Sequence, residues 1–558
     1  MLFYIIRTEE GEFSLSPIVR TDKLLMRVEM LTPGLPFSFA LSLIKVLESK
    51  QIKNGKKEIL KYLRKYPGLQ GMDWRWRNMQ SEEVNTAPLK KAEVENRSFT
   101  SRIQGHQLSE ADLQRLANEM ELSLQEVVRL CHEAVLQGQA EWIPAVQKEG
   151  QGWRCMRCGE TEIKEWPSIY GLAGTCPSCA SLGALSSLQV VHRSMGKRLT
   201  CKADEMQLNR LPTFTPHWAL SIAQERASQE VLAFVSNETS KNLLLWAACG
   251  AGKTEVCFPA TAWALERGYK VLFAAPRQDV VLDVAPRLER DFPGLNVSVL
   301  TGVSIERFSS ASLVLATTHQ VLRFIKAFDL IFMDEVDAFP YYGNEALTWG
   351  LQHALKPEGK IVYLTATPSP ENRARVQRKE MELVRLPARH HRKALPVPEW
   401  IMSTSQDHNV ELYSHIKSLE EFGPVLIFVP KISWVNLYVK KLQVLFPGGS
   451  IEGSYSSDPG RREKIERLRM GRYSIFVSTS ILERGVTVPN AQVIVLEADH
   501  AVFDERALVQ MAGRVGRTRE NPEGRALFLA KQKTPAVEKA IYWIQEQNNL
   551  ALEQGLID

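Results

Sequence analysis

The 558 residues are 44% apolar and 24% charged, which excludes a mostly disordered chain and supplies material for about three to five domains. No run reaches the ~18 apolar residues that span a bilayer. The opening Met1–Glu10 segment lacks the basic start of a leader and its apolar stretch is too short for one, so it reads as a strand of an intracellular protein. Subtracting 64 acidic from 69 basic residues leaves a net charge of +5, which selects no class of partner.

Residues 1–148 form an α+β N-terminal region without a chemical motif. From Lys45 to Arg77 there are ten Lys or Arg against three acids, with Trp74 and Trp76 interleaved. Two readings stand: a nucleic-acid footprint, or a solvated helix over 41–66 whose tryptophans pack on a neighbour. The polar stretch 80–107 reads as a linker. Ser109 predicts the cap of one helix, with Leu113, Leu116 and Met120 on its inner face. Ser123 and Glu126 predict a capping box for a second. A helix-turn-helix and a plain packing hairpin both fit this pair.

Residues 149–192 carry Cys155-Met-Arg-Cys158 and Cys176-Pro-Ser-Cys179, seventeen residues apart. A two-residue gap lets one turn aim two thiolates at a tetrahedral metal, so the spacing predicts a structural zinc site with a closed shell. Gly159 and Pro177-Ser178 supply the turn chemistry. Cys131, Cys201, Cys249 and Cys257 lack such spacing and read as buried thiols.

Residues 210–386 alternate apolar runs with helical patterns, which predicts a doubly wound parallel sheet. Its strands are expected at 243–246, 271–275, 313–316, 330–333 and 361–365. Pro387, Pro396 and Pro398 then punctuate the chain. A second α/β lobe over 396–558 has strands expected near 425–429, 474–478 and 493–497.

The first strand runs into Ala247-Ala248-Cys249-Gly250-Ala251-Gly252-Lys253-Thr254, the P-loop spacing with Ala247 in place of the first glycine. Gly250 and Gly252 let backbone N–H groups cradle phosphate oxygens ahead of a helix expected over 255–267. Lys253 is placed to reach the β- and γ-phosphates and Thr254 to ligate Mg²⁺. Eighty residues on, an apolar strand delivers Asp334-Glu335-Val336-Asp337. Asp334 is the second Mg²⁺ group and Glu335 the residue that polarises the attacking water. The two motifs together predict an NTPase.

Further motifs follow in fixed order: Gln224 ahead of the P-loop as an adenine reader, Ala275-Pro-Arg277, Thr317-Thr-His-Gln320, Thr365-Ala-Thr-Pro368, Ser478-Thr-Ser-Ile-Leu-Glu-Arg-Gly485 and Gln510-Met-Ala-Gly-Arg514-Val-Gly-Arg517. Over 215–530 this set resembles superfamily 2 helicases and translocases. It departs from the strict DEAD box at Asp334–Asp337, and has Gln510 where DEAD-box RNA helicases usually have histidine. The resemblance implies two RecA-like lobes with ATP between them, Arg514 and Arg517 acting as arginine fingers, and Gln510 at the nucleotide. It implies DNA contacts for Arg277, Thr318, Thr365, Thr367 and Thr479, with Thr365 and Thr367 coupling the two sites.

The zinc module ahead of the core, Asp-Glu-Val-Asp-Ala-Phe-Pro-Tyr341, Ser457-Asp-Pro-Gly-Arg-Arg-Glu-Lys464 and Thr479-Ser-Ile-Leu-Glu-Arg-Gly-Val-Thr487 make the chain closely similar, from about Trp153 onward, to the ComFA late-competence DNA-uptake ATPases. That resemblance implies a cytoplasmic motor at the inner face of the membrane, acting on single-stranded DNA. Its implied partners are a ComEC-type channel and a ComFC-type protein, and a homo-oligomer stays open. A PriA-like replication-restart helicase shares the arginine motif and cysteine-bound zinc. Its cysteines, however, lie within the second half of the helicase region. A nucleotide-gated scaffold that hydrolyses little is the third reading, opposed by the intact Glu335, Arg514 and Arg517.

Overall fold

The apolar runs that precede the motifs become the central strands of two parallel sheets. A computed structural model describes residues 1–8, 11–17, 28–49, 55–79, 99–194, 214–237, 240–403, 409–482 and 488–558. The first lobe is a seven-stranded sheet. Its spatial order is Val297–Leu300, Leu313–Thr317, Val271–Ala275, Phe328–Asp334, Leu355–Thr365, Asn242–Ala247 and Glu382–Leu386, all parallel. Helices cover both faces, which is why its inner strands are near-continuous Val, Leu and Phe instead of alternating. The strand Leu355–Thr365 lies between the P-loop strand and the acidic strand, with Trp246 opposite Thr365 and Asp334 opposite Leu364.

The second lobe has six parallel strands, ordered Glu399–Met402, Ala526–Ala530, Gln492–Leu496, Val425–Phe428, Ile475–Ser478 and Ile451–Ser454. Its last helix, Pro535–Glu553, crosses back to the first lobe. There Trp543 packs edge-on against Trp246 at 6.5 Å, and Glu546 pairs with Arg385 at 3.3 Å. One apolar core therefore runs through both lobes.

The N-terminal region opens with a four-stranded antiparallel sheet that includes Tyr4–Arg7 and Arg75–Met79. The basic stretch forms helices Phe37–Ser49 and Gly55–Leu63, and then the strand carrying Trp76. Trp76 lies 6.2 Å from Phe13, and the Trp74 indole donates to the Leu69 carbonyl at 3.1 Å, so both tryptophans serve packing. The supposed linker ends earlier than its polarity suggests: Phe99 and Ile103 are buried, and Gln107 opens the strand Gln107–Ser109. The cap at Ser109 forms on helix Glu110–Glu119 as a full box with Asp112, the box at Ser123 and Glu126 forms on helix Leu124–Leu136, and the two helices pack as a hairpin in one core.

The expected boundary at 148 and 149 falls inside a hairpin, because Val146–Glu149 pairs with Gly152–Cys155. The strand Val190–Ser194 also pairs with Gln107–Ser109 on one side and Ala140–Pro144 on the other. The cysteine module and the region before it are thus woven together. The woven unit is docked on the first lobe. The Gln107 side chain donates to the Leu322 carbonyl at 2.8 Å and the Arg157 carbonyl at 3.2 Å. Asp112 forms a fully buried ion pair with Arg323, whose Nε donates to Gln320 at 2.8 Å.

Burial would raise the Asp112 carboxyl, yet the Arg323 charge and the Ser109 hydrogen bonds hold it below the ordinary value. A carboxylate depressed in the folded state stabilises at neutral pH, and that contribution is lost as pH falls through its folded value. Asp112→Ala strands a guanidinium that is 1% exposed and should cost about 3–5 kcal/mol. The readout is a lower denaturant midpoint for the N-terminal unit; an unchanged midpoint would show that the pair does not hold the docking.

Candidate nucleotide site and four-cysteine cluster

The strand Asn242–Ala247 ends where the backbone must turn sharply, and Gly250 and Gly252 take φ of +79° and +77° there. A short 3₁₀ turn, Glu255–Cys257, leads into the helix Phe258–Glu266 with Pro259 in its first turn. Lys253 Nζ reaches Asp334 Oδ1 at 2.6 Å. Burial opposes the charge on Lys253, but Asp334 and Glu335 beside it raise its ammonium above the usual value. Glu335 sits at φ +50°, a strained position for a residue with a side chain. Its carboxylate oxygen Oε2 is buried without a hydrogen-bond partner. Glu335, Asp334 and the buried Thr254 line one cavity, an oxygen-donor set of the kind that suits Mg²⁺.

The second lobe contributes the helix Glu505–Ala512, capped by Asp504, and the turn after it. Gln510, Arg514 and Arg517 face the P-loop across a cavity of about 1160 Å³. The structure thus brings together Gln224, residues 248–254, Asp334, Glu335, Gln510, Arg514 and Arg517. Ala247 is the buried end of its strand and stays outside the lining. Gln224 is engaged by the chain at both ends of its amide. Its oxygen accepts from the Ser221 N–H at 2.9 Å, and its nitrogen donates to the Ala251 carbonyl at 2.9 Å. It braces the P-loop where the sequence suggests an adenine reader.

The expected DNA contacts separate into two groups. Arg277 and Thr479 are half-buried and follow the ends of strands Val271–Ala275 and Ile475–Ser478. Thr318, Thr365 and Thr367 are buried. Thr365 and Thr367 donate their hydroxyls to the two oxygens of Asp337, at 2.7 and 2.6 Å. Neither hydroxyl is presented to a strand of DNA. They tie the acidic loop to the middle strand of the sheet, which corrects their assignment as contacts but keeps a coupling geometry. Glu483, Arg484 and Gly485 lie outside the described residues. Asp337 itself has no role in the sequence reading, although the fourth acid of the motif facing two motif threonines was a usable signal. Phe214 and Trp218, which also line the cavity, and Arg389 carry no motif and escape such reading.

The four module cysteines are buried, and their Sγ atoms all lie within 4.8 Å of one another. Cys155 and Cys179 are 3.6 Å apart, and so are Cys158 and Cys176. Zinc–thiolate bonds of about 2.3 Å place tetrahedral sulfurs about 3.8 Å apart, so the cluster fits zinc. The buried Arg157 donates from Nε to Cys179 Sγ at 3.2 Å, and from one terminal nitrogen to the Cys179 and Gly183 carbonyls at 3.2 and 2.6 Å. Gly159 is required beside it: at φ +76°, a Cβ there would lie 2.6 Å from the Trp349 ring of the first lobe. Cys131, Cys249 and Cys257 are buried free thiols, and Cys201 lies outside the described residues.

A P-loop lobe and an arginine-bearing lobe that close on one cleft define a superfamily 2 helicase or translocase, an ATP-driven enzyme. Residues 218–370 match the family described as type III restriction enzyme, res subunit, and residues 407–519 match the helicase conserved C-terminal domain. Competence protein ComFA of Bacillus subtilis is 36% identical over 420 residues, 73% of this chain and 88% of that protein. The Streptococcus pneumoniae ComFA is 35% identical over 420 residues, 74% of this chain and 94% of that protein. ATP-dependent DNA helicase RecG of Thermotoga maritima is 27% identical over 360 residues, 58% of this chain and 43% of that protein. The chain belongs to the ComFA family of competence proteins.

Proposed function

We propose that this chain is an ATP-driven motor on single-stranded DNA that draws transforming DNA inward during natural competence. The observation that carries the reading is the single cleft holding Lys253, Thr254, Asp334 and Glu335 from one lobe and Arg514 and Arg517 from the other. Lys253 exchanges Asp334 for the β- and γ-phosphate oxygens when nucleotide enters. Thr254 and Asp334 would hold Mg²⁺, which when bound would supply charge neutralisation at the phosphates. Glu335 orients the attacking water. Arg514 and Arg517 meet the charge that develops on the transferred phosphoryl group, a contribution of about 10³–10⁵ in rate in related reactions. Because those two groups belong to the other lobe, hydrolysis requires closure, and repeated closure ratchets a strand.

Arg277 and Thr479, at corresponding strand ends of the two lobes, are the candidates for sequence-independent phosphate contacts. The pair Thr365 and Thr367, held on Asp337, links that surface to the acidic loop. Family membership supports a place at the inner face of the membrane beside a ComEC-type channel and a ComFC-type protein. Among the described residues no helix is long and apolar enough to cross a membrane.

The test is ATP hydrolysis by the purified chain alone and with single-stranded DNA, forked duplex DNA or single-stranded RNA, beside Lys253→Ala, at two salt concentrations. Single-stranded DNA should stimulate turnover without separating the fork, and the stimulation should weaken as salt rises. Fork-dependent strand separation would replace this reading with a replication-restart helicase. RNA-selective stimulation would sink both.

A further inference from the structure

The connection between the lobes carries a buried arginine that belongs to none of the motifs. Arg389 lies three residues beyond the strand Glu382–Leu386 and is 1% exposed. Its Nε donates to the Cys249 carbonyl in the P-loop at 2.7 Å. One terminal nitrogen donates to the Val515 carbonyl at 2.6 Å and to the Gly516 carbonyl, and the other to the Gly513 carbonyl at 3.1 Å. One acceptor is therefore in the phosphate-binding loop, and the other three are in the turn that carries Arg514 and Arg517. Burial, with the Arg517 charge beside it, lowers the Arg389 guanidinium to about 9, so it remains a cation at neutral pH.

The same joint is closed from another side. Cys249 Sγ lies 3.8 Å from the Val509 carbonyl. Gly513 faces Cys249 so closely that a Cβ on it would sit 2.5 Å from the Cys249 Cβ. His391 also meets the Gly516 carbonyl at 3.0 Å. A planar guanidinium can serve four carbonyls in fixed directions, whereas a lysine ammonium is a compact point charge on a flexible stem. Opening the cleft would part the Cys249 carbonyl from the other three, so Arg389 could not keep all four bonds.

We infer that Arg389 is a positioning residue that sets the register of Arg514 and Arg517 against the P-loop. The inference rests on the reading that those two arginines act on the γ-phosphate. Arg389 acts through backbone carbonyls and does not itself meet the phosphates. Misplacing a reacting group by about 1 Å can cost about 10²-fold in rate, so the signature lies in turnover and not in affinity.

The experiment measures kcat and KM for ATP, equilibrium ADP binding and the melting temperature of the full chain with Arg389→Lys and Arg389→Met. Both variants should lose about 10²-fold in kcat, with KM and ADP affinity near wild type, when assayed below a melting temperature that falls because four buried carbonyls lose their donor. A kcat near wild type, or a loss confined to KM, overturns the inference. Arg514→Lys and Arg517→Lys are measured beside them. Normal turnover in both, with a defect at Arg389, would sink the arginine-finger reading instead. Should the Arg389 variants not fold, Gly513→Ala decides. It wedges the same joint and should lower kcat, and adding Cys249→Gly should restore it. No loss in the single variant, or no recovery in the double, overturns the proposal.

Discussion

Replacing Glu335 by Gln is expected to slow ATP turnover by about 10²–10⁴-fold, the range that positioned general-base groups supply, while nucleotide still binds. The amide keeps the shape of the carboxylate but loses the charge that orients and polarises a water. The geometry makes the residue suited to that work. The acidic strand Phe328–Asp334 ends in a tight turn, and Glu335 is held at φ +50°, where strain is tolerated only if the surroundings over-determine it. Its N–H donates to Asp334 Oδ1 at 2.7 Å, which locks the two acids into divergent directions. Asp334 faces Lys253, and Glu335 lines the cavity with its Oε2 buried and unpartnered. Single-turnover hydrolysis and equilibrium binding of a non-hydrolysable analogue separate the two effects. Full turnover in Glu335→Gln would remove the water-polarising role and revive a nucleotide-gated scaffold that hydrolyses little.

The legible parts of this protein are those whose chemistry is local in sequence. A P-loop is a strand, a turn and a helix start in succession, so Gly250, Gly252, Lys253 and Thr254 announce themselves by spacing. The paired cysteines do so for the same reason, and so do the cap at Ser109 and the capping box at Ser123. What stayed hidden depends on contacts between distant segments. Thr365 and Thr367 read as surface contacts until the register that brings Asp337 to both hydroxyls is known. Arg389 meets carbonyls 124 to 140 positions away, and a lone arginine bonded to backbone leaves no pattern to find. The linker expected over 80–107 runs past the buried Phe99 and Ile103, because a polar, weakly periodic stretch resembles a linker whether or not its end is pinned. Gln107 pins it, through one side chain shared between Arg157 and Leu322.

That shared side chain makes zinc removal the second large effect. The four cysteines belong to the same apolar cluster as Leu322, Phe324 and Phe328 of the first lobe, so the metal cluster and lobe one are packed as a unit. Zinc would close the four thiolates and supply folding free energy, an apparent 10–16 kcal/mol in isolated zinc-finger peptides, about as much as a whole domain's stability. Without it, four thiols held within 4.8 Å of one another lose the charge balance that gathers them, and the Arg157 bond to Cys179 loses its thiolate acceptor. Chelation, or paired Cys155→Ser and Cys176→Ser, should therefore abolish zinc content and lower the first melting transition by more than about 10 °C. The loss should spread beyond the module, because Arg157 leads through Gln107 to the carbonyls of Leu322 and Phe324, beside the buried pair of Asp112 and Arg323. Atomic emission and thermal melting of the full chain check both parts. A double variant that keeps its zinc and its first transition would mean that the cysteines are ordinary buried thiols, and that the docking of the N-terminal unit stands without the metal, on contacts such as Gln107 and the Asp112–Arg323 pair.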